Sequence, residues 1–309
     1  MILPRGFSIG HWTDEQALTG CSVILCPSKT VGGCDVRGSS PGSRELALLA
    51  SEKTMHEVHA VLLTGGSAFG LAAADGVMRY LEEHNIGYET PWVKVPIVPA
   101  AVIFDLNIGS KTVRPTAESG YKACMAAQDN SVVEGNVGVG TGATVGKWGG
   151  TNSRMKGGVG IAGISHDDLV VAAVAVVNAV GDIIDERGNV LAGARNQDGR
   201  WLVEEDPYRK FARPEMPMLS NTTLVAIMTN AKLTKVEVNR LAQRGHDGMA
   251  RAIKPAHTSF DGDVVFGLAT GEINTGFDLI AEIGADLTAL AIRRGVRMAK
   301  SVEGAPACQ

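Results

Sequence analysis

The sequence lacks the features that would direct it to a membrane or a nucleic acid. Its longest apolar run, Leu169 to Val177, is far shorter than the roughly 20 apolar residues of a membrane-spanning helix. No run of Lys or Arg is present and the net charge is −4, which argues against nucleic acid or an anionic membrane as the main partner. The opening residues, MILPRGFSIGHW, lack the apolar core of a signal peptide, so we expect a cytoplasmic protein.

Cysteines and aromatics are also few. The five cysteines are odd in number and include no CxxC pair, so we interpret them as free thiols in a reducing compartment. Cys21, Cys26 and Cys34 have no His/Cys pair at zinc-finger spacing, which argues against a metal site. Aromatic residues make up 5% of the chain, so a core must be built mainly from Ala, Val, Leu and Ile.

What the chain does have is an alternation of β-branched apolar segments with Ala-rich segments. This pattern predicts an α/β fold, with sheets covered by helices. The predicted strands cover 59–63, 169–177, 224–228 and 264–269, and the predicted helices cover 69–83, 115–128, 235–253 and about 282–300. Thr234 and Glu237 form a capping box at the start of the third helix. Nothing in the sequence marks a clean domain boundary except a Pro-rich, charged connector over 206–219. We therefore expect a single domain over 1–309.

The Gly-rich segment VVEGNVGVGTGATVGK, ending at Lys147, suggests a phosphate-binding loop. A P-loop requires Gly where Thr141 stands and Ser or Thr where Trp148 stands, so the motif fails. The dinucleotide fingerprint fails as well, because the last glycine is wrongly spaced. Tight backbone packing explains the glycines better than nucleotide binding does. Lys147 remains notable as a charge at the end of an apolar segment.

The segment GGSAFG suggests a nucleophile elbow around Ser67. That elbow requires Gly two residues after the serine, where this chain has Phe69. We instead expect a strand-to-helix turn at Gly65, Gly66 and Ser67 whose backbone N–H groups line a site.

Three polar positions allow catalytic roles, although each also has a simpler explanation. Asn178 ends a predicted strand as a turn residue commonly does, yet its amide could donate to an oxyanion. Asp261 and Asp263 would share a face on a strand, yet an acidic turn is the commoner arrangement. His257 lies nearby without a Ser, Cys or zinc-motif partner, which favours a structural role.

The polar triplet Asn221-Thr222-Thr223 stands directly before the apolar run that begins at Leu224. A turn before a strand is the simple interpretation. The alternative is that Thr222 becomes an N-terminal nucleophile, whose α-amine has an unperturbed pKa of roughly 7.7–8.0 and can act as its base. This requires cleavage of the Asn221–Thr222 bond, which the Thr222 hydroxyl could itself carry out.

These residues lie in segments that resemble the DmpA-type L-aminopeptidase/D-esterase family (peptidase family S58), a family of self-processing N-terminal-nucleophile hydrolases. The resemblance covers nearly the whole chain. Its segments are TGCSVILCP, DVRGSSPGSRE, VLLTGGSAFGLAAADGVMRYLEE, VPAAVIFDL, GNVGVGTGATVGK, NTTLVAIMTNAKL and HTSFDGD. Thr222 and the Asp-Gly-Asp triplet are similar to the branch that holds 6-aminohexanoate (nylon) oligomer endohydrolases, whereas the β-aminopeptidase branch uses Ser.

The resemblance implies a catalytic set of Lys147, Asn178, Thr222, Asp261 and Asp263. It implies self-cleavage between Asn221 and Thr222 into chains 1–221 and 222–309. Thr222 would be the nucleophile, its freed amine the base, and Asn178 the oxyanion donor. The two aspartates would orient Thr222, with Lys147 balancing their charge.

The resemblance also implies a four-layer α/β/β/α sandwich, assembled as a homo-tetramer of processed pairs. No cofactor or metal is implied. The expected substrate is a small-molecule or peptide amide, with weak candidates for substrate contact in Gly65, Gly66, Ser67 and Trp148. Two alternatives remain open: an aminopeptidase that releases N-terminal L-, D- or β-amino acids, and an unprocessed small-molecule binding protein.

Overall fold

The computed structural model describes residues 3–129, 132–206, 208 and 221–308. Nearly all of the predicted connector over 206–219 lies outside the described residues. The strands are β1 (Ser8–Asp14), β2 (Thr19–Leu25), β3 (Val31–Val36), β4 (Ser43–Arg44), β5 (Ala60–Thr64), β6 (Tyr88–Glu89), β7 (Lys94–Val95), β8 (Ala100–Val102), β9 (Thr144–Val145), β10 (Met155–Lys156), β11 (Val159–His166), β12 (Leu169–Asn178), β13 (Asp182–Ile184), β14 (Val190–Ala192), β15 (Thr222–Ala231), β16 (Ile253–Lys254) and β17 (Val264–Ile273). The α-helices are α1 (Ala73–Glu83), α2 (Ala117–Met125), α3 (Leu202–Glu205), α4 (Lys235–Ala252) and α5 (Phe277–Arg297). Short 3-10 helices cover Ala47–Leu49, Ser67–Ala72, Gly138–Gly142, Lys147–Gly149 and Thr151–Ser153.

Two five-stranded sheets organise the described residues. The first has the order β1-β2-β5-β8-β4 and the second the order β11-β12-β15-β17-β3. In the second sheet β12 pairs antiparallel with β15, and β15 pairs parallel with β17. Both β15 and β12 are buried along almost their whole length, as expected for interior strands that read as continuous apolar runs.

The buried side chains form separate clusters on the faces of the sheets. One cluster draws on both sheets, with Val61 and Leu63 of β5 beside Val174 of β12 and Phe266 of β17. A second cluster places α1 and α2 against the first sheet. A third places α4 and α5 against the second sheet, mainly through Ala, Val, Leu and Ile, as the scarcity of aromatics predicts.

Most predicted elements are confirmed, but several boundaries were wrong. The last helix covers Phe277–Arg297 and not about 282–300. Gly276 is its N-cap, with extended backbone, so the helix begins before the Ala-rich part of the segment. The second helix begins at Ala117, since Thr116 caps it. The capping box of Thr234 and Glu237 is confirmed. No helix among the described residues is both long and apolar enough to cross a membrane.

Candidate active site

The pairing of three strands in the second sheet brings the candidate residues together. Asn178, at the end of β12, lies opposite Thr222, at the start of β15. Because β15 and β17 run parallel, with Leu224 beside Val264, the residues that precede each strand also meet. Asn221 accordingly pairs with Asp261 in an isolated bridge. Residues far apart in sequence therefore share one edge of one sheet.

Thr222 lies directly against the peptide bond that would be cleaved. Its hydroxyl donates to the carbonyl oxygen of Asn221 at 2.5 Å. The backbone N–H of Gly262 donates to the same oxygen at 2.7 Å. A hydroxyl nucleophile and a fixed N–H donor at one carbonyl are what acyl transfer requires. Thr222 is 4% exposed, so this arrangement is shielded from bulk water.

The two aspartates bind different partners. Asp261 accepts from the Val180 N–H at 3.2 Å and from the hydroxyl of Thr258 at 2.6 Å. Asp263 accepts from the Thr223 N–H at 2.7 Å, next to Thr222. Burial is the larger cause and repulsion from Asp263 the smaller one, and together they raise the pKa of Asp261 to about 6. A carboxyl with a pKa near neutrality is a usual feature of a site that moves protons.

Lys147 is the buried cation of the site. Its Nζ donates to the side-chain oxygen of Asn178 at 2.8 Å and to the Asn178 backbone carbonyl at 3.0 Å. Burial lowers the pKa of Lys147 to about 7, against the opposing attraction of Asp261. Left-handed backbone at Gly146 (φ 68°) turns the chain into the short helix that starts at Lys147. The Asn178 amide nitrogen donates to the Phe104 carbonyl at 3.3 Å.

The turn at residues 65–67 lies against Asp105. The N–H groups of Gly65, Gly66 and Ser67 donate to the Gly20 carbonyl, the Asp105 carboxylate and the Ile103 carbonyl. These N–H groups already have partners in the fold, so they are not available to a substrate in this conformation. Gly65 also has no room for a side chain, since a Cβ would meet the Asp105 carboxylate at 2.2 Å.

Trp148 follows Lys147 and separates the site from a cavity. Its side chain is 3% exposed, and the ring N–H donates to Asp182 at 2.8 Å. It packs in a small apolar cluster with Val180 and Phe260, whose backbone groups bind Asp261 and Asn221. Beside it is a cavity of about 250 Å³, lined by Trp148, Gly149, Asn152, Ser153, Arg195, Asn196, Gln197 and Leu202.

Sequence reasoning assigned no role at this site to Gly262 or Lys156, and it favoured a structural role for His257. Gly262 supplies the N–H on the Asn221 carbonyl, and His257 binds Asp263 through Nδ1 at 2.8 Å. Lys156 is fully buried and donates to three backbone carbonyls, those of Gly140, Ala143 and Gly157. Gly262 and His257 both lie in the HTSFDGD segment, so the glycine and the histidine of that segment were the available signal. No pattern marks Lys156.

Comparison with known proteins places the chain in a family. The model of peptidase family S58 matches residues 5–308. A Mycobacterium leprae protein named an uncharacterized aminopeptidase is 42% identical, over 97% of this chain and 91% of the relative. A 6-aminohexanoate-oligomer endohydrolase of Kocuria sp. is 33% identical, over 87% of this chain and 74% of that enzyme.

Two solved structures share the fold. The L-aminopeptidase D-Ala-esterase/amidase of Ochrobactrum anthropi, described as a variant of the N-terminal-nucleophile hydrolase fold, superposes with a TM-score of 0.73 at 16% identity, over 98% of this chain and 89% of that one. A Burkholderia sp. β-aminopeptidase superposes with a TM-score of 0.70 at 21% identity, over 97% and 86%.

The family match and the named relatives define a hydrolase of peptide or amide bonds, and its fold is like that of an N-terminal-nucleophile hydrolase structure. The chain belongs to peptidase family S58.

Proposed function

We propose that the chain is a precursor that cleaves itself between Asn221 and Thr222, and that Thr222 is then the nucleophile for amide substrates. The observation that carries this proposal is the geometry at the Asn221 carbonyl. One oxygen accepts from the Thr222 hydroxyl at 2.5 Å and from the Gly262 N–H at 2.7 Å. Attack by that hydroxyl places negative charge on an oxygen that already has a fixed N–H donor.

The self-cleavage proceeds in two steps. Thr222 Oγ1 gives up its proton and bonds to the Asn221 carbonyl carbon, the C–N bond breaks, and the Thr222 nitrogen takes up that proton, which leaves an ester and a new α-amine. Water then hydrolyses that ester, which frees the Asn221 carboxylate and the Thr222 hydroxyl. The amine serves as general base when the hydroxyl attacks a substrate amide, and later protonates the leaving amine.

The remaining site residues support these steps electrostatically. Asn178 supplies an amide donor for the substrate oxyanion, with its side-chain oxygen held by Lys147 at 2.8 Å. Asp261 and Asp263 face the start of β15 and stabilise the ammonium form of the Thr222 amine. Lys147 lies close enough to Asp261 to attract it, and so offsets the two carboxylates.

We propose linear amides similar to 6-aminohexanoate oligomers as the substrate class. The 6-aminohexanoate-oligomer endohydrolase at 33% identity supports it. The higher identity of 42% to a protein named an aminopeptidase favours a second candidate, release of N-terminal amino acids. Linear oligoamides with free and blocked N-termini separate the two, because only an endohydrolase accepts the blocked ones.

Two features of architecture belong to the same proposal. Helices α1 and α2 pack on the first sheet, α4 and α5 pack on the second, and a shared cluster lies between the sheets. This supports a four-layer α/β/β/α sandwich. We also propose that processed pairs assemble into a homo-tetramer, which light scattering on the purified protein tests.

Thr222→Ala tests the central proposal. We expect the wild type to convert with time into two species, residues 1–221 and 222–309, when intact mass is followed under denaturing conditions. The alanine variant should remain a single uncut chain, and Thr222→Ser should still cleave because it keeps a hydroxyl. Cleavage by the alanine variant at residue 221 would refute self-processing by Thr222.

A further inference from the structure

The two carboxylate oxygens of Asp263 are held by different donors. Oδ1 accepts from the Thr223 N–H at 2.7 Å, and this amide directly follows the nucleophile Thr222. Oδ2 accepts from His257 through its ring Nδ1 at 2.8 Å and its backbone N–H at 3.2 Å. Asp263 is 1% exposed, so these contacts replace the water that a free carboxylate would bind. The orientation of Oδ1 therefore depends on what holds Oδ2.

His257 is itself fixed by its surroundings. Its backbone is left-handed (φ 55°), a conformation that most residues avoid and that aims its ring and its N–H at the same oxygen. Its ring meets the ring of His246 edge-on, with centroids 4.8 Å apart. His246 in turn binds the Asp35 carbonyl through Nε2 at 3.0 Å. A carboxylate accepts only, so His257 must carry its proton on Nδ1.

We propose that His257 is a positioning residue for the reaction: its Nδ1–H holds Asp263 Oδ2 in place and turns Oδ1 toward the start of β15, where that oxygen receives the ammonium freed at Thr222. This inference rests on the function proposed above. His257 makes no contact with Thr222 among the described residues, and acts through Asp263 alone.

The charged groups around Asp263 show why its hydrogen bond from His257 matters for the site. Asp261 lies close enough for the two carboxylates to repel, which contributes to the raised pKa of Asp261. Burial lowers the pKa of His246 to about 4, so its ring is neutral at pH 7 and offers Asp263 no charge. Arg37 and Asp35 pair with each other at 2.9 Å, and the Arg37 backbone N–H donates to the Asp263 carbonyl at 3.2 Å. Among the described side chains, His257 is the one that donates a hydrogen bond to Asp263.

Two substitutions at residue 257 separate the hydrogen bond from the backbone. Glycine and asparagine both tolerate a left-handed backbone, so neither adds strain. His257→Gly removes the donor. His257→Asn keeps an N–H donor close to the position of Nδ1. His257→Gly and His257→Asn both accept the left-handed backbone, so they differ mainly in whether a side chain donates to Asp263 Oδ2.

We expect His257→Gly to slow both fragment formation and turnover of processed enzyme by about 100-fold, since misplacing a reacting group by about 1 Å has an effect of this size. The loss should fall on kcat more than on KM. His257→Asn should recover most of the rate.

The outcomes distinguish the inference from the proposed function. A wild-type chain that neither cleaves nor hydrolyses amides refutes the function itself. An active wild type with an equally active glycine variant, or an asparagine variant no better than a folded glycine variant, refutes the positioning role. If the glycine variant does not fold, ¹⁵N NMR of the wild-type histidines decides: a proton on Nδ1 of His257, assigned with the asparagine variant, supports the role, and a proton on Nε2 alone overturns it.

Discussion

At the scale of single residues, the proposed site depends on the backbone N–H of a glycine, Gly262. Gly262 stands between the two aspartates, and its N–H reaches the Asn221 carbonyl. A Cβ at this position would meet the Ser40 carbonyl at 2.6 Å and Thr222 Oγ1 at 2.9 Å. A glycine is therefore needed, because the Ser40 carbonyl and the Thr222 hydroxyl occupy the space that a side chain would fill.

Gly262→Ala should slow self-cleavage sharply. The added methyl pushes the backbone away from Thr222, which moves the N–H off the Asn221 oxygen. Loss of one oxyanion donor reduces a rate by about 10²–10³-fold, and a partial displacement approaches the lower figure. The measurement is the rate of precursor loss by intact mass. Gly276→Ser is the control, because it adds atoms into open space; equal rates for the two variants would contradict this role of Gly262.

Asp261 should set the acid limit of the reaction. Burial and the Asp263 charge raise its pKa to about 6, so it is protonated below that pH and cannot stabilise an ammonium. The hydrolysis rate of processed enzyme should therefore rise as pH increases through about 6. In Asp261→Asn the rate should be lower and this rise should disappear. A rise that persists unchanged in the asparagine variant would show that another group controls it.

At the scale of elements, close helix–sheet packing holds the strand that carries Asn178. Helix α5 crosses β11 and β12 at glycines on both partners. A Cβ on Gly160 of β11 would meet the Ala291 carbonyl at 2.0 Å, and one on Gly295 would meet a Val177 methyl at 2.7 Å. Small residues let the backbones approach, and this fixes β12 against its helix.

Gly160→Ala should destabilise the fold by about 1–3 kcal/mol, the range for overpacking a close-packed interior. The atom that a Cβ would meet is a backbone carbonyl, which cannot rotate away. Urea denaturation in the Thr222→Ala background measures this without self-cleavage. Gly276→Ser should be close to neutral, since serine is a favourable helix N-cap. Equal stability of the two variants would contradict the packing argument.

At the scale of the whole molecule, the fold buries three lysines among the described residues, of which Lys147 and Lys156 lie deepest. Burial lowers the pKa of both Lys147 and Lys156 to about 7, with Asp261 and Asp105 respectively opposing the shift. The unfolded chain holds these protons up to its ordinary lysine pKa near 10.5, whereas the folded chain releases them above about 7. The unfolded state therefore binds more protons in this window, and folding stability increases with pH.

The free energy of unfolding should therefore rise from pH 7 to about pH 7.8, where most cysteines of the unfolded chain, with an ordinary pKa of about 8.5, still keep their protons. Urea denaturation in the Thr222→Ala background measures it. Lys156→Met should show a smaller rise, because one of the two groups is gone, and Lys122→Met, at an exposed helix position, should leave the slope unchanged. A flat profile in the parent would mean that the folded lysines keep their protons.

The sequence by itself determined the local structure and pointed to the site. Periodicity predicted the α/β class and the interior strand that ends at Asn178, because burial on both faces leaves a continuous apolar run. The polar triplet before Leu224, with the resemblance to a hydrolase family, singled out Thr222 and its partners. Those roles stay predictions until variants are measured, although the structure does bring the five residues to one edge of a sheet.

Only the tertiary structure decided which atoms meet. The Gly262 N–H reaches Asn221, and His257 reaches Asp263, because β15 and β17 pair in parallel with one particular register. Lys156 is held by carbonyls from a Gly-rich segment that carries no lysine-binding pattern. Sequence periodicity reports which faces are buried, whereas hydrogen bonds between distant segments depend on register and on close backbone approach, which no local pattern encodes.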